Sequence, residues 1–457
     1  SHPQGDIELL RRSWALQPNR EPILENGANV AIPVLRMTLS ALAERLFVAH
    51  FNQTPFVLLE PVNTDRTEAI KDLEAILFWY QNRDLQDWSL IIRDGVLLGT
   101  GVGYKYWDGG RPKTKYIPLE DVIVYPNTLL ENVWVVGHKL RLSVPALFRM
   151  FPNADPNIME RAKVGLGSLP TEEMATVDIP QTGWGVVEVW FMTFIYDGDY
   201  YEIVYLPVFG DVLRFQKLPF PFHPYIFYTP IRGQGVFGES LGRLLLPIEA
   251  EINEIHNLIL DNALLTNLPV FIVRRGSSAS KIKEWRAGML IETETPQDIA
   301  PLVVPQNVNL LQQREMTLLE YAKAVSGYTE IMSGQPPSPY HTAYAIEASL
   351  LEGSVRFKHY FANGRECLRR NAILDLLMIR QWGDRLAETK YLNRPSPLVF
   401  ITAEEIMSED EWRYLPNTAN INRETDKQRW LMIKQLFQQQ LTPQGQWEID
   451  AIILRNM

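Results

Sequence analysis

The feature that constrains this chain most is a helical pattern of apolar residues that runs from Thr342 to Trp382. At 1.5 Å per residue, an uninterrupted helix of this length would be roughly 60 Å long. Gly353 and Gly364 lie inside the pattern, and we expect the helix to bend at them. The predicted fold is therefore organised around one very long, kinked helix.

Two shorter helical patterns precede the long one and bracket an insert. The first covers residues 240–267 and contains Pro247, and the second covers residues 308–325. Residues 270–306 between them have the pattern of short strands and turns. A helical hairpin of this size has too little surface of its own to bury both apolar faces. We therefore expect neighbouring copies of the chain to cover them.

The first half of the chain mixes helices and short strands, which predicts an α+β body. Residues 1–30 are polar and are predicted to be loop. Asp197-Gly198 stands between aromatic and β-branched runs, a pattern typical of a two-residue hairpin turn. Ser143 is expected to cap a short helix. Further helices are predicted at 33–51, from near 65 to 77 and at 84–98, and strands at 104–107, 115–117, 122–125, 133–142, 186–196, 212–216 and 225–228.

Length and charge limit the classes of function. A chain of 457 residues is expected to form two to four sub-domains. Its net charge of −10 differs from the basic character of proteins that bind DNA phosphates tightly, so any DNA contact should be local or sliding.

The single cysteine, Cys367, allows no intrachain disulfide. No apolar run spans a membrane and residues 1–6 lack a leader pattern, so a soluble, non-secreted protein is expected.

One motif resembles a nucleotide-binding site. The stretch Gly233–Gly238 matches the dinucleotide fingerprint G-x-G-x-x-G, and Glu254 lies near the spacing of its ribose-binding acid. However, Glu254 falls within a helical pattern and the chain lacks strand-helix alternation, so a strand-to-helix turn is the preferred interpretation. No metal-ligand spacing or catalytic constellation is present. The sequence therefore predicts a protein that is not an enzyme and needs no cofactor or metal, with an oxidoreductase as the alternative.

Two basic clusters remain, one in the insert and one on the long helix. The default interpretation of each is a solvated face or a set of ion pairs between copies, ahead of a contact with DNA or a partner. The helix cluster consists of Arg356, Lys358, Arg365, Arg369 and Arg370.

The order of helix, insert, helix, proline-rich loop and very long helix resembles that of the portal proteins of tailed bacteriophages, and is closest to those of long-tailed phages. The resemblance covers most of residues 31–430. Three stretches carry it: Asp94-Gly95 through Gly99-Thr100-Gly101 to Pro126, Phe237-Gly238-Glu239-Ser240 into Pro247–Asn253, and Gly327-Tyr328-Thr329-Glu330 into Thr342-Ala343.

The resemblance implies a portal-like α+β fold with a wing, a two-helix stem, a small α/β clip, a long kinked wing helix and a helical C-terminal crown. The implied boundaries are 1–30 for an N-terminal extension, 31–239 for the first part of the wing, 240–269 and 307–330 for the stem helices, 270–306 for the clip, 331–341 for a tunnel loop, 342–421 for the long helix and the return to the wing, and 422–457 for the crown.

The resemblance also implies a function. Copies, about twelve, would form a ring at one capsid vertex of the virion, assembled in the host cytoplasm, through which viral double-stranded DNA is packaged and ejected. Capsid, scaffold, terminase and tail adaptor proteins would be its partners. A purely structural head or tail ring is the alternative. The implied DNA-facing residues are Met332, Ser333, Gln335, Pro336, Pro337, Ser338 and Tyr340, and the implied docking residues are Arg274, Arg275, Lys281, Lys283, Trp285 and Arg286.

Overall fold

The computed structural model describes residues 4–17, 27–61, 70–128, 132–154, 186–207, 210–233, 235–267, 271–276, 299–301, 308–327, 343–382 and 412–416. These residues form a mixture of helices and antiparallel strands, so the α+β class predicted from the sequence is confirmed. Within these ranges, no helix combines the length and the apolar character that a membrane crossing requires.

The α-helices are α1 (Gln4–Trp14), α2 (Val34–Phe51), α3 (Ile70–Gln81), α4 (Leu85–Leu98), α5 (Val144–Met150), α6 (Leu241–Asn267), α7 (Val308–Ser326) and α8 (Ala343–Trp382), with single 3₁₀ turns at Asn82–Asp84 and Leu119–Asp121. The strands are β1 (Val57–Pro61), β2 (Gly101–Asp108), β3 (Arg111–Ile117), β4 (Val122–Tyr125), β5 (Val135–Ser143), β6 (Val186–Tyr196), β7 (Asp199–Leu206), β8 (Asp211–Lys217), β9 (Tyr225–Tyr228), β10 (Phe271–Val273), β11 (Ile299–Pro301) and β12 (Trp412–Pro416). The predicted helices at 240–267, 308–325 and 342–382 are thus confirmed to within about a residue.

The chain divides into two compact units. The body unit consists of Ser1–Gln4, Leu39–Gly242 and Thr329–Met457, and the helical unit consists of Gly5–Thr38 and Arg243–Tyr328. The body unit therefore contains the larger sheets and α8, whereas the helical unit contains most of α6, all of α7 and the β10–β11 pair.

The body unit contains a five-stranded sheet in the order β4-β5-β6-β7-β8 and a three-stranded sheet in the order β3-β2-β9. Their described pairs are antiparallel. Residues alternate between buried and partly exposed along most of β6, as expected for a strand with one face on a core. The predicted hairpin turn is confirmed: Asp197 and Gly198 join β6 to β7, with φ of 52° and 80°. Two successive positive φ angles are typical of the type I′ turn that matches strand twist.

The second half of α8 packs into the body unit. It shares a hydrophobic cluster with α3 and β1, and β1 also pairs with β12. Burial of such apolar side chains contributes about 25 cal/mol per Å², so this cluster anchors the long helix to the body. Its buried members are Phe56, Val57, Leu59, Leu73, Ile76, Leu77, Tyr80, Ala372, Ile373, Leu376 and Ile379.

A buried ion pair joins β2 to α8. The Lys105 ammonium contacts the Asp375 carboxylate, and both side chains are 1% exposed. Gln81 donates to the same carboxylate at 2.8 Å, and Asn371 donates at 3.2 Å. Lys105 also donates to the Thr114 hydroxyl at 2.8 Å. A charge can be buried when it is paired and hydrogen-bonded in this way, so this network fixes the register of α8 on the sheet.

Two expectations are corrected. Residues 1–30 were predicted to be loop, but α1 occupies Gln4–Trp14. Ile7 and Leu10 are buried there at helical spacing, and Asp6 in the first turn and Arg11 in the last complement the helix dipole. Ser143 has the extended backbone of an N-cap before α5, but its hydroxyl makes no capping hydrogen bond. The predicted start of α3 near residue 65 lies outside the described residues.

Gly364 lies where α8 meets other parts of the body unit. A Cβ atom at this position would lie 2.6 Å from Nε2 of His50 and 2.7 Å from the ring of Tyr228. The absence of a side chain therefore permits close packing of α8, a role that the expectation of a bend did not include.

Candidate assembly surface

A strap, residues 27–33, runs along one face of α6 in the helical unit. Its alternate backbone amides donate to α6 side chains that are four residues apart. The hydrogen bonds join Ala28 to Asp261 at 2.7 Å, Val30 to Asn257 at 2.8 Å and Ile32 to Asn253 at 2.7 Å. Because residue numbers rise along the strap while they fall along α6, the two segments run in opposite directions.

These hydrogen bonds form a regular ladder because the spacing of the donors along the strap matches the spacing of the acceptors along α6. Eight residues of an α-helix, from Asn253 to Asp261, rise about 12 Å. The four residues from Ala28 to Ile32 must therefore advance about 3 Å each, near the rise of an extended strand. The strap thus satisfies its amides on helix side chains in the way that a strand satisfies them on a neighbouring strand.

Glu249 continues the ladder one helical turn earlier. Its carboxylate accepts the backbone N–H of Leu35 at 2.5 Å and the hydroxyl of Ser13. Burial raises the pKa of Glu249, while the two hydrogen bonds oppose that rise. This one side chain ties the start of α2 and the end of α1 to α6.

Sequence reasoning missed this ladder, although its signal is present in the sequence. Glu249, Asn253, Asn257 and Asp261 recur at a strict four-residue spacing on α6. Side chains at that spacing share one face. A row of hydrogen-bond acceptors along one face of a helix indicates that an extended segment, with free backbone N–H groups, packs on that face.

An ion pair and a hydrogen bond join α6 to α7. Arg314 contacts the Glu251 carboxylate at 2.8 Å, and Nδ1 of His256 lies 3.1 Å from the Glu315 carboxylate. The Arg314–Glu251 pair is largely exposed, so it contributes at most about 1 kcal/mol and mainly sets orientation.

Large apolar side chains on these helices are exposed. On α7, Leu310 is 68% exposed and Met316 is 66% exposed, and Tyr321 is also exposed. Leu310 and Tyr321 are eleven residues apart and share a face, whereas Met316 is turned about 120° away from Leu310. The exposed residues Leu260 and Leu264 form a pair one turn apart on α6. The helical unit therefore presents apolar groups in more than one direction.

Strand β10 lies near the start of the insert and β11 lies near its end, and the two strands pair antiparallel. Ile272 on β10 is 57% exposed, and the predicted docking residues Arg274 and Arg275 follow the strand and are exposed. The structure therefore brings these two arginines together at one strand end. The other predicted docking residues, Lys281, Lys283, Trp285 and Arg286, lie outside the described residues.

The predicted DNA-facing loop falls between α7 and α8. Gly327, with a φ of 68°, follows the last residue of α7. This left-handed glycine is the usual end of a helix. Residues 328–342, which include every predicted loop contact from Met332 to Tyr340, lie outside the described residues.

The glycines of the nucleotide-like motif pack against the chain itself. A Cβ on Gly238 would collide with the carbonyl oxygens of Gly99 and Ile231. The Gly238 amide donates to the Thr100 hydroxyl at 2.8 Å, and the Glu239 amide donates to Ile231. The preceding strand, β9, pairs antiparallel to β2. The motif therefore serves as a tight turn and lacks the parallel strand setting of a dinucleotide site.

No family model fits the chain, and no curated protein is significantly similar to it.

Proposed function

We propose that the chain is a portal-type subunit, copies of which form a closed ring around a channel for viral double-stranded DNA. About twelve copies would assemble at a capsid vertex, in contact with capsid and scaffold proteins. The terminase motor and later the tail adaptors would dock on the insert. In this proposal the subunit is a conduit without catalytic residues, and the packaging motor supplies the chemical energy.

The observation that carries the proposal is the set of exposed apolar residues on the helical unit. In a closed ring, each subunit contacts two neighbours through two different patches. Leu310 with Tyr321 and Met316 on another face of α7 fit that requirement. The order of α6, an insert whose described residues include the β10–β11 pair, α7 and a helix of 40 residues also supports it, since this order carries the resemblance to portal proteins.

Substitution of the apolar residues tests ring formation. Leu310→Glu combined with Met316→Glu would place two charges in the proposed interfaces, and we expect the ring to dissociate into folded monomers. Tyr196→Glu is the matched control, because Tyr196 is 69% exposed at the end of β6 in the body unit. An intact ring in the double variant would contradict the proposal.

A second experiment separates a DNA channel from a purely structural ring. Removal of Gln335 to Pro339 shortens the proposed DNA-facing loop, which contains no charged residue between Met332 and Tyr340. We expect the ring to assemble normally but to package or retain less DNA. Unchanged packaging would favour the structural ring.

A further inference from the structure

A cavity of about 310 Å³ lies in the body unit between the end of β9, the turn after it and α8. Its wall combines the cationic residues Arg232 and Arg370 with Asn363, the carboxylate of Glu366 and the apolar side chains of Phe227 and Val236. This volume is near the lower end of the range for small-molecule sites, roughly 300–1,000 Å³.

Arg370 is a partly buried cation that forms no ion pair with a carboxylate among the described residues. Its guanidinium carbon lies 4.4 Å from the ring centroid of Phe222, and one terminal nitrogen donates to the carbonyl of His223 at 3.3 Å. Its Nε is buried and has no hydrogen-bond partner among the residues that the structure describes. The sequence predicted a solvated face or ion pairs between copies for this cluster; Lys358, Arg365 and Arg369 are exposed, whereas Arg370 is only partly exposed.

The neighbouring His223 does not balance the charge of Arg370, because its imidazole is neutral. Burial lowers the pKa of His223 well below its ordinary value, and the charge of Arg370 lowers it further, so the imidazole is neutral. Burial likewise lowers the pKa of Arg370 to about 10, so the guanidinium remains charged at neutral pH. In the part of the chain that the structure describes, no carboxylate forms an ion pair with Arg370.

The nearest carboxylate in the wall is already paired. Glu366 accepts from the neighbouring Arg369 at 2.8 Å and 3.1 Å, one turn apart on the exposed side of α8. Glu366 also stabilises the charge of Arg370 electrostatically, but the wall still carries two cations, Arg232 and Arg370, against this one carboxylate. A buried charge is expected to be paired, so a positive wall of this kind favours an anion.

We propose that this cavity binds a small dianion of the phosphate class, either free phosphate or a small phosphate monoester. Planar guanidinium groups bind phosphate oxygens through paired hydrogen bonds, which Arg232 and Arg370 would supply. Phe227 and Val236 would contact the organic part of a monoester. A nucleic-acid backbone does not suit the site, because its diester phosphates carry one charge each and a sugar on both sides.

Titration calorimetry of the purified full-length chain tests the proposal. Inorganic phosphate and glycerol phosphate would be added in separate titrations at ionic strength matched with chloride, and duplex DNA at the same phosphate concentration would be the third arm. We expect one site per chain for at least one of the two small phosphates, and no competition from DNA. Binding of DNA alone, or of no phosphate at all, would overturn the proposal.

Variants locate the site. Arg232→Met leaves the fold unchanged because Arg232 is exposed, and it should weaken phosphate binding roughly tenfold. Arg370→Met should abolish phosphate binding. If this variant does not fold, the affinity of Arg232→Met is sufficient to test the site.

Glu366→Gln should tighten phosphate binding because it removes the negative charge of the carboxylate from the wall. Arg365→Met, the control, removes an exposed charge from α8 outside the wall and should bind like the parent chain. Equal weakening by Arg365→Met and Arg232→Met would contradict the assigned site.

Discussion

Asn257 pairs with both backbone groups of Val30. Its carbonyl oxygen accepts the Val30 N–H at 2.8 Å, and its amide nitrogen donates to the Val30 carbonyl at 3.1 Å. One side chain thus reproduces the two-bond exchange that a residue in an antiparallel strand makes. The strap is held as if α6 were the neighbouring strand of a sheet.

Replacement of Asn257 should loosen the strap. Asn257→Leu removes both hydrogen bonds, each of which contributes about 0.5–1.5 kcal/mol. We expect the backbone amide of Val30 to exchange with deuterium at least severalfold faster. Asn257→Asp keeps the acceptor and loses the donor, so it should give an intermediate rate. The same exchange rate in the parent and Leu variants would mean that the ladder does not hold the strap.

The Lys105–Asp375 pair should be important for the stability of the body unit. Lys105→Met leaves the Asp375 carboxylate buried without its cation, and we expect a loss of about 3–5 kcal/mol in the free energy of unfolding. Lys113→Met is the control, because Lys113 pairs with the exposed Asp108 and should contribute less than about 1 kcal/mol. Urea unfolding measures both. Adding Asp375→Asn to Lys105→Met should recover part of the loss, and no recovery would argue against an uncompensated charge as the cause.

Buried histidines should make the body unit sensitive to acid. Burial lowers the pKa of His50 to about 3 and that of His138 to about 3, with smaller contributions from Arg365 and Lys115. The unfolded chain takes up these protons near pH 6.5, whereas the folded chain does so only near pH 3. The stabilisation is therefore complete above pH 6.5 and is lost as the pH falls toward 3.

The size of this effect is measurable between pH 6.5 and 5, where few carboxylates titrate. Each histidine should lower the free energy of unfolding by up to about 1.4 kcal/mol per pH unit as the pH falls. Urea unfolding of His50→Gln across this range should give a shallower slope than the parent chain. Parallel slopes would mean that His50 is not buried in its neutral form.

The long helices α6, α7 and α8 were predictable because apolar residues recur along them at helical spacing, whereas α1 was not predicted. The pattern from residue 342 to 382 gives α8 almost to the residue, and the Asp197-Gly198 turn follows from its backbone requirement alone. By contrast, Lys105 and Asp375 are distant in sequence, and nothing local marks them as partners. The close approach of Gly364 to His50 depends in the same way on tertiary packing.

The candidate surface was only partly predictable from the sequence. The apolar residues of α6 and α7 led to the expectation that neighbouring copies cover them, and Leu310 and Met316 are exposed on the single chain. The strap was not placed on α6, because residues 27–33 show no helical or alternating pattern of their own, and the only signal is the four-residue spacing of polar side chains on α6. Arg370 was grouped with solvated cations, since its burial beside Phe222 depends on a segment remote in sequence.

Charge reversal on the insert should slow docking of the proposed partners. Arg274→Glu with Arg275→Glu, alone or with Lys281→Glu and Lys283→Glu, should lower the association rate of the terminase or adaptor protein, because charges near an interface act mainly on the encounter. Lys358→Glu with Arg365→Glu is the matched control on α8. Surface plasmon resonance measures the rates. An equal effect of the control pair would assign the change to net charge and not to the insert.

The most direct test of the central claim is the native mass of the purified chain in mild salt. A portal-type ring predicts one dominant species whose mass is a whole multiple, about twelve, of the 52.6 kDa subunit. A stable monomer over the working concentration range would contradict the account, because the exposed apolar residues of α6 and α7 would then have no neighbouring copy to cover them.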